Sequence, residues 1–525
     1  MKFRVTAWLA TAMAAVLAVS LAACSGTAAP APASGAAIPL LRAGTTGPTS
    51  TLDPLTTQGC ATDYCGLFME RLMKFAPDGK LEPQLAASMS EPDAVTYVFH
   101  LRHGVKFWDG NEMTSADVVA SLKYQEAPGS ETATYYTDVK SIAADGPYSV
   151  VVTLKQPNSI WPQNMAYEGV IFEKAFEEAH KGSFGKPGTL VMGTGPWKVD
   201  SFDPTTGIEL SANPHWWGGT VPIQRISFKF FANETSEALA MRSGEIDVAF
   251  PSDGASFGAA SGAKIVSWLN NQIGYFSMNT KLAPWNDIHV RRAVAYALNR
   301  TDIIAASGAG SAQPLYDFYP AMDLDLLGST SQVAAIVTAL PKYTFNVAAA
   351  KAQLAQSAYP HGFTATMDLC NLGNFPDMDQ VIAAELQRIG ITLKLKTVTC
   401  DAWVTEIYGP KNFGPMFSTS HSSIVDPGGL SAYMLGSQAI PAGGVNVAAY
   451  GPPYVDSLLA ASVATNNPAT RLNIYQQLLT HVAADVPYVP LFQDNAFLAI
   501  SSKFTLPALG MDSFELAWAL NVKPA

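Results

Sequence analysis

Charge is scarce in this chain. Charged residues make up 14% of its 525 positions against 48% hydrophobic, a balance that buries a core and is neither disordered nor nucleic-acid-like. Positive charge is scarcer than negative: the formal net charge is −11. Removing Lys2 and Arg4 with a leader would take it to about −13, which argues against DNA, RNA or an anionic lipid surface as partner. Long apolar runs are missing too. The one candidate, Trp8 to Leu21, is shorter than the roughly 20 residues a spanning helix needs. There is no C-x-x-C and no cluster among the eight histidines, so a structural zinc site is not expected, and nothing calls for a cofactor. H-E-x-x-H and P-loop patterns are also absent. Glu177-Glu178 reads as part of a solvated helix rather than a catalytic pair. The chain is therefore read as a non-enzyme. A secreted hydrolase stays as the rival class, because active sites are spatial constellations rather than strings.

The N-terminus points outward from the cytoplasm. Lys2 and Arg4 form a positive n-region, and the apolar run behind them has the length of a signal-peptide core. It closes on Leu21-Ala22-Ala23-Cys24, which resembles the bacterial lipobox. That resemblance implies a signal peptide over 1–23, acylation of Cys24 and attachment to the outer face of the cytoplasmic membrane through lipid alone. The alternative is an ordinary signal peptide with an incidental cysteine. Residues 24–37 are Ala/Pro/Ser/Gly-rich and read as a tether. The remainder is long enough to require at least two domains.

Setting Cys24 aside leaves Cys60, Cys65, Cys370 and Cys400. An even remainder in an exported chain suggests two disulfides between neighbours, Cys60 with Cys65 and Cys370 with Cys400. For the second pair, Thr364 to Cys370 and Thr392 to Cys400 read as strands and Asp377 to Ile389 as the helix between them. A right-handed βαβ crossover puts both cysteines at the same ends of parallel neighbours. Buried thiols are the alternative.

Helix and strand signals alternate along the chain, which predicts a mixed α/β (α+β) architecture. Asp287 to Asn299 is the clearest helix, with Val290, Ala293, Val294 and Ala297 on one face and Asp287 as cap. Asp377 to Gly390 is a second, with Ile382, Leu386 and Ile389 as its stripe. Strands are predicted at Val95–Arg102, Ser149–Leu154, Ile208–Ala212 and Ile226–Phe231. No repeat of fixed period is present.

Several segments occur in a telling order: LDP at 52–54, DGKLEPQLAAS at 78–88, TYVFHLRHGVKFWDG at 96–110, GTGPWKV at 193–199, SANPHWWGG at 211–219, SGEIDVA at 243–249, HVRRAVAYALNR at 289–300 and DVPYVPLFQ at 485–493. Together they resemble the bacterial extracellular solute-binding proteins for dipeptides, oligopeptides and nickel. The resemblance implies a two-lobed clamshell that closes on a small ligand and delivers it to ABC permease subunits with a cytoplasmic ATPase. It implies one lobe over 38–278 plus 494–525 and another over 279–493, with hinge crossings near Tyr275–Asn279 and Pro490–Asp494. A monomer is the family's usual state. A purely sensory receptor on the same fold is an alternative role.

The same resemblance supplies candidate cleft residues. These are Thr62, Asp63 and Tyr64 in the loop after LDP, Phe250 after GEID, and Tyr275 and Phe276 on the crossing strand. In the second lobe they are Trp403, Ser420, His421, Ser423 and Asp426. One departure stands out. Peptide receptors of the family carry an aspartate three residues before an acidic-Pro pair, to meet the ligand's α-ammonium. Here Asp426-Pro427 is preceded at that spacing by Ser423. An uncompensated buried ammonium would cost about 2–5 kcal/mol. Either Asp426 or Asp63 substitutes, or the ligand is not a simple free-amine peptide. A neutral sugar or glycoside on aromatics and serines, a cationic peptide or amine, and a metal chelate at His421 all remain open.

Overall fold

The computed structural model describes residues 37–56, 63–252, 254–258, 262–307, 312–370, 375–421, 424–507, 509–510 and 516–525. Cys24, Cys60, Thr62 and Ser423 lie outside the described residues, as do the leader and the tether up to residue 36. Residues 38–525 form one compact unit with its own buried cores, so this span is the part that folds.

A nine-stranded sheet among the described residues organises the unit. Its spatial order runs Trp197–Asp203, Gly207–Ala212, Arg225–Phe230, Leu41–Thr45, Val248–Ala249, Tyr488–Ser501, Ala263–Met278 and Pro415–His421. Gln313–Pro314 adds to the Tyr488–Ser501 strand. The strands alternate with helices, and the mixed α/β class expected from the sequence is what forms. A separate four-stranded antiparallel sheet, Ala86–Asp93, Thr96–Leu101, Ser149–Leu154 and Val139–Ala144, carries its own core around Phe99, Trp161 and Val150.

Two long strands tie the parts together. Ala263–Leu269 pairs with Asn495–Ser501, and Ile273–Ser277 pairs with Tyr488–Gln493, with a register break between Leu269 and Ile273. Before the break, Trp268 and Leu498 belong to the core built on Leu41, Trp197 and Phe228. After it, Ile273 and Tyr275 belong to a different core with Tyr475 and Leu478. The first crossing thus lies at about Leu269–Ile273, ahead of the expected Tyr275–Asn279, and the second lies near Gln493–Asn495. The sequence window was displaced because Tyr275 and Phe276 look like a crossing strand but are already packed in the second lobe.

Local signals translate directly. Ile288–Ala297 is a helix whose cap, Asp287, accepts a hydrogen bond from the His289 amide, and Val290, Ala293, Val294 and Ala297 are buried. Arg291 and Arg292 reach back to the carbonyls of Asp485 and Ala484 and stitch this helix to the end of the Pro468–Asp485 helix. The βαβ unit forms over Phe363–Cys370, Phe375–Gln387 and Ile391–Val398, with the two strands parallel. Cys370 and Cys400 are joined by a disulfide at its end. Cys65 is also disulfide-bonded, but its expected partner Cys60 is outside the described residues.

Several of the quoted motifs converge on one carboxylate. Glu70 is buried and accepts hydrogen bonds from Thr194 Oγ1 (2.8 Å), Trp217 Nε1 (2.9 Å) and Trp216 Nε1 (3.3 Å). Burial pushes it up to about 7 against those donors. The flanking Gly193 and Gly195 are required by close approach: a Cβ would lie 2.2 Å from Phe68 O and 2.6 Å from Phe68 C, respectively. GTGP and NPHWW thus serve to seat a buried acid.

Replacing Cys370 and Cys400 together by serine should destabilise the second lobe by about 3–4 kcal/mol, the loop-closure entropy for a separation of 30 residues. Urea unfolding of the double variant beside the parent checks this, with the midpoint falling to lower urea in the variant.

Candidate functional site

Where the two strands part, a cavity of about 810 Å³ opens beside the crossing. One wall comes from the first lobe: Asp63, Asn233, Glu234, Phe250 and Trp268. The opposite wall comes from the second: Phe375, Met378, Thr419 and Phe492. Asn270, Gln272, Asp494 and Asn495 of the crossing itself form the floor.

Asp63 is brought to the wall by the C-terminus. Trp518 Nε1 donates to the Asp63 carbonyl at 2.7 Å, and the Trp518 ring stands edge-on to Phe250 at 5.2 Å. One buried tryptophan therefore fixes two lining residues from distant parts of the chain. The Asp63 carboxylate accepts from Thr45 Oγ1 at 3.0 Å. Burial pushes it up to about 6, with Thr45 opposing. Asp494 is also raised to about 6 by burial, eased by the Asn495 amide at 2.8 Å. Behind Asp63, Glu237 is raised to about 8 by burial and by the neighbouring charges of Asp63 and Glu234. Its two oxygens have no hydrogen-bond partner among the described residues.

The crossing has a polar spine. Gln493 Nε2 donates to the Asn270 carbonyl at 2.9 Å, and Asn271 Nδ2 donates to the Ile424 carbonyl at 3.0 Å. The Asn271 amide donates to Asn270 Oδ1 at 2.8 Å, which fixes that side chain's orientation and turns Nδ2 to the other side.

Of the sequence candidates, Asp63 and Phe250 line this cavity together. Others do not. Tyr64 is fully buried against Phe228 and Phe230. Tyr275 is buried with its hydroxyl on the Phe318 carbonyl at 2.7 Å, and Phe276 faces the core on the other side of the strand. The strand is covered on both faces, so alternation gives neither residue a view of solvent. Trp403 is 8% exposed and stands edge-on behind Phe375, one layer back from the wall. Asp426 caps the Pro427–Met434 helix through the Gly428 amide. It also forms a buried two-pronged pair with Arg471, at 2.7 and 2.6 Å. This corrects its reading as a free ligand carboxylate: its charge is already compensated. Ser420 and His421 pair through their backbone with Ile273 and Gln272, and their side chains lie outside the described residues. Thr62 and Ser423 lie outside them altogether.

Sequence reading missed Asp494, Asn270, Trp268, Phe375 and Phe492. Only the position of the crossing could have found the first three. Among the described residues no cluster of three metal-ligating side chains occurs, and no helix is long and apolar enough to cross a membrane.

The profile of the bacterial extracellular solute-binding proteins, family 5 (middle region), matches residues 80–441, more than half of the chain. The chain belongs to this family. It is thus an extracellular protein that captures a small ligand for an ABC importer. The glutathione-binding protein GsiB of Escherichia coli (strain K12) is 26% identical over 486 residues, covering 89% of this chain and 92% of that one. The fold matches DppA from Helicobacter pylori, solved with peptide STSA, at a TM-score of 0.76 and 23% identity, covering 93% and 98% of the two chains. It also matches NikA from Brucella suis, solved with Fe(III)-EDTA, at a TM-score of 0.78 and 19% identity, covering 93% and 100%.

Two predictions come from this solute-binding protein's buried charges. Asp426→Asn leaves Arg471 buried beside a neutral amide and should cost about 3–5 kcal/mol in urea unfolding. The second concerns pH. Asp63, Asp494, Glu70 and Glu237 hold protons more tightly folded than an unfolded carboxyl does near pH 4. The folded state therefore gains protons first as pH falls, and stability should rise from pH 8 down to about 5. A thermal-unfolding series on ligand-free protein that stayed flat or fell over that window would contradict it.

Proposed function

We propose that the protein is a lipid-anchored, monomeric capture subunit that holds a peptide or peptide-like ligand between its lobes. The observation that carries this reading is the cavity at the strand crossing, walled from both lobes. A ligand there touches both walls at once, so it stabilises the closed arrangement over the open one, and that difference is what a permease can sense. The cavity has the volume of a ligand of a few residues. Its polar floor of Asn270, Gln272 and Asn495 suits a backbone rich in carbonyls and amides. The peptide partner of DppA and the glutathione of GsiB are of the same chemical kind. The lipobox-like Leu-Ala-Ala-Cys24 supplies the anchor, and residues 24–37 the reach from the membrane.

Residues 38–525 purified without added ligand should show, in native mass spectra, a non-covalent mass or mass series in the peptide range that is lost on denaturation. A single mass of sugar or chelate composition would replace the peptide reading with that ligand. Expression of the full chain should add the mass of acyl chains at Cys24, and Cys24→Ser should release the protein from membranes.

A further inference from the structure

The charges around the cavity are all of one sign. Asp63, Glu234 and Asp494 line it, and no described lining residue is lysine, arginine or histidine. None of the three takes part in an ion pair among the described residues. Residues 57–62, 253, 259–261, 308–311, 371–374, 422–423, 508 and 511–515, outside the described residues, include no lysine, arginine or histidine. Among the described lining residues no lysine or arginine neutralises the negative wall. A second, independent observation points to what is bound. Asn270 is 9% exposed and lines the cavity, with its Oδ1 held by the Asn271 amide. Trp268, equally buried on the same strand and lining the same cavity, has an indole N–H without an acceptor among the described residues. Buried donors of this kind are satisfied by a partner or by water.

We propose that this cleft selects an organic cation. The ligand is peptide-like with positive net charge, its ammonium or guanidinium held by Asp63 and Asp494 and a carbonyl taken by Asn270. This rests on the reading of the cavity as the ligand site and adds the ligand's charge. Burial holds both aspartates at about 6, so they are largely ionised at neutral pH yet short of a counter-charge. The faces of Trp268 and Phe250 offer further attraction to a cation. The arrangement also answers the missing family aspartate at Ser423: the carboxylates stand on the first lobe and the crossing instead. An anionic solute such as glutathione meets three carboxylates and no described cation.

The test is titration calorimetry of ligand-stripped residues 38–525 at pH 7.5 with trilysine, trialanine and glutathione. Trilysine should bind at least about tenfold more tightly than trialanine, and glutathione should give no heat. The trilysine affinity should fall steeply with added salt. Asp494→Asn and Asp63→Asn should each lower trilysine affinity by about tenfold or more, with an unchanged far-UV circular dichroism spectrum and cooperative unfolding showing that the variants fold. Equal or tighter binding of glutathione or trialanine would overturn the inference and leave peptide capture standing. Failure of all three to bind would overturn both.

Discussion

Two antiparallel strands, Ala263–Met278 and Tyr488–Ser501, pair at both ends and lose register in the middle. At one end their side chains fill the core around Trp197 and Phe228. At the other they fill the cores around Tyr475 and Val290. The buried residues at the break are Asn270, Asn271 and Gln493, which are hydrogen-bonded rather than packed in an apolar core. Asn270 and Gln272, at the same break, line the cavity. The break between the strands and the polar lining of the cavity are thus one feature of the chain.

The supporting structure keeps that joint in place. Trp518, near the C-terminus, holds Asp63 and Phe250 against the cavity, so the last residues of the chain shape the first wall. On the second lobe, Trp403 stands behind Phe375, and the Cys370–Cys400 disulfide ties the helix Cys400–Tyr408, which carries Trp403, to the βαβ unit that carries Phe375. Asp426 and Arg471 bind the Pro427–Met434 helix to the Pro468–Asp485 helix, and Gln163 reaches Asp426 from the four-stranded-sheet side at 3.4 Å. The charges inside these supports are matched, whereas those on the cavity wall are not. That contrast separates scaffold from site.

Much of the fold was legible because its signals are local. Asp287 ahead of an apolar stripe, and a strand–helix–strand run ending in two cysteines, carry their geometry within about 30 residues. The site was less so. Asp494 and Asn270 meet across more than 200 positions, and nothing near either one marks it as cavity floor. Tyr275 and Phe276 were drawn toward the cleft by the resemblance, yet a strand buried on both faces hides alternate residues equally. Asp426 misled for a chemical reason. Asp-Pro-Gly-Gly is as good a helix start as it is a ligand motif, and the partner that decides between them, Arg471, is 45 residues away.

The central claim, that ligand is held at the strand crossing by both lobes, is tested most directly by hydrogen–deuterium exchange with and without a saturating tryptic peptide mixture. The account predicts slowed exchange together at residues 249–252, 269–273, 417–419 and 492–496, from both walls and the floor. Protection confined to one lobe, or placed elsewhere with these segments unchanged, would contradict it.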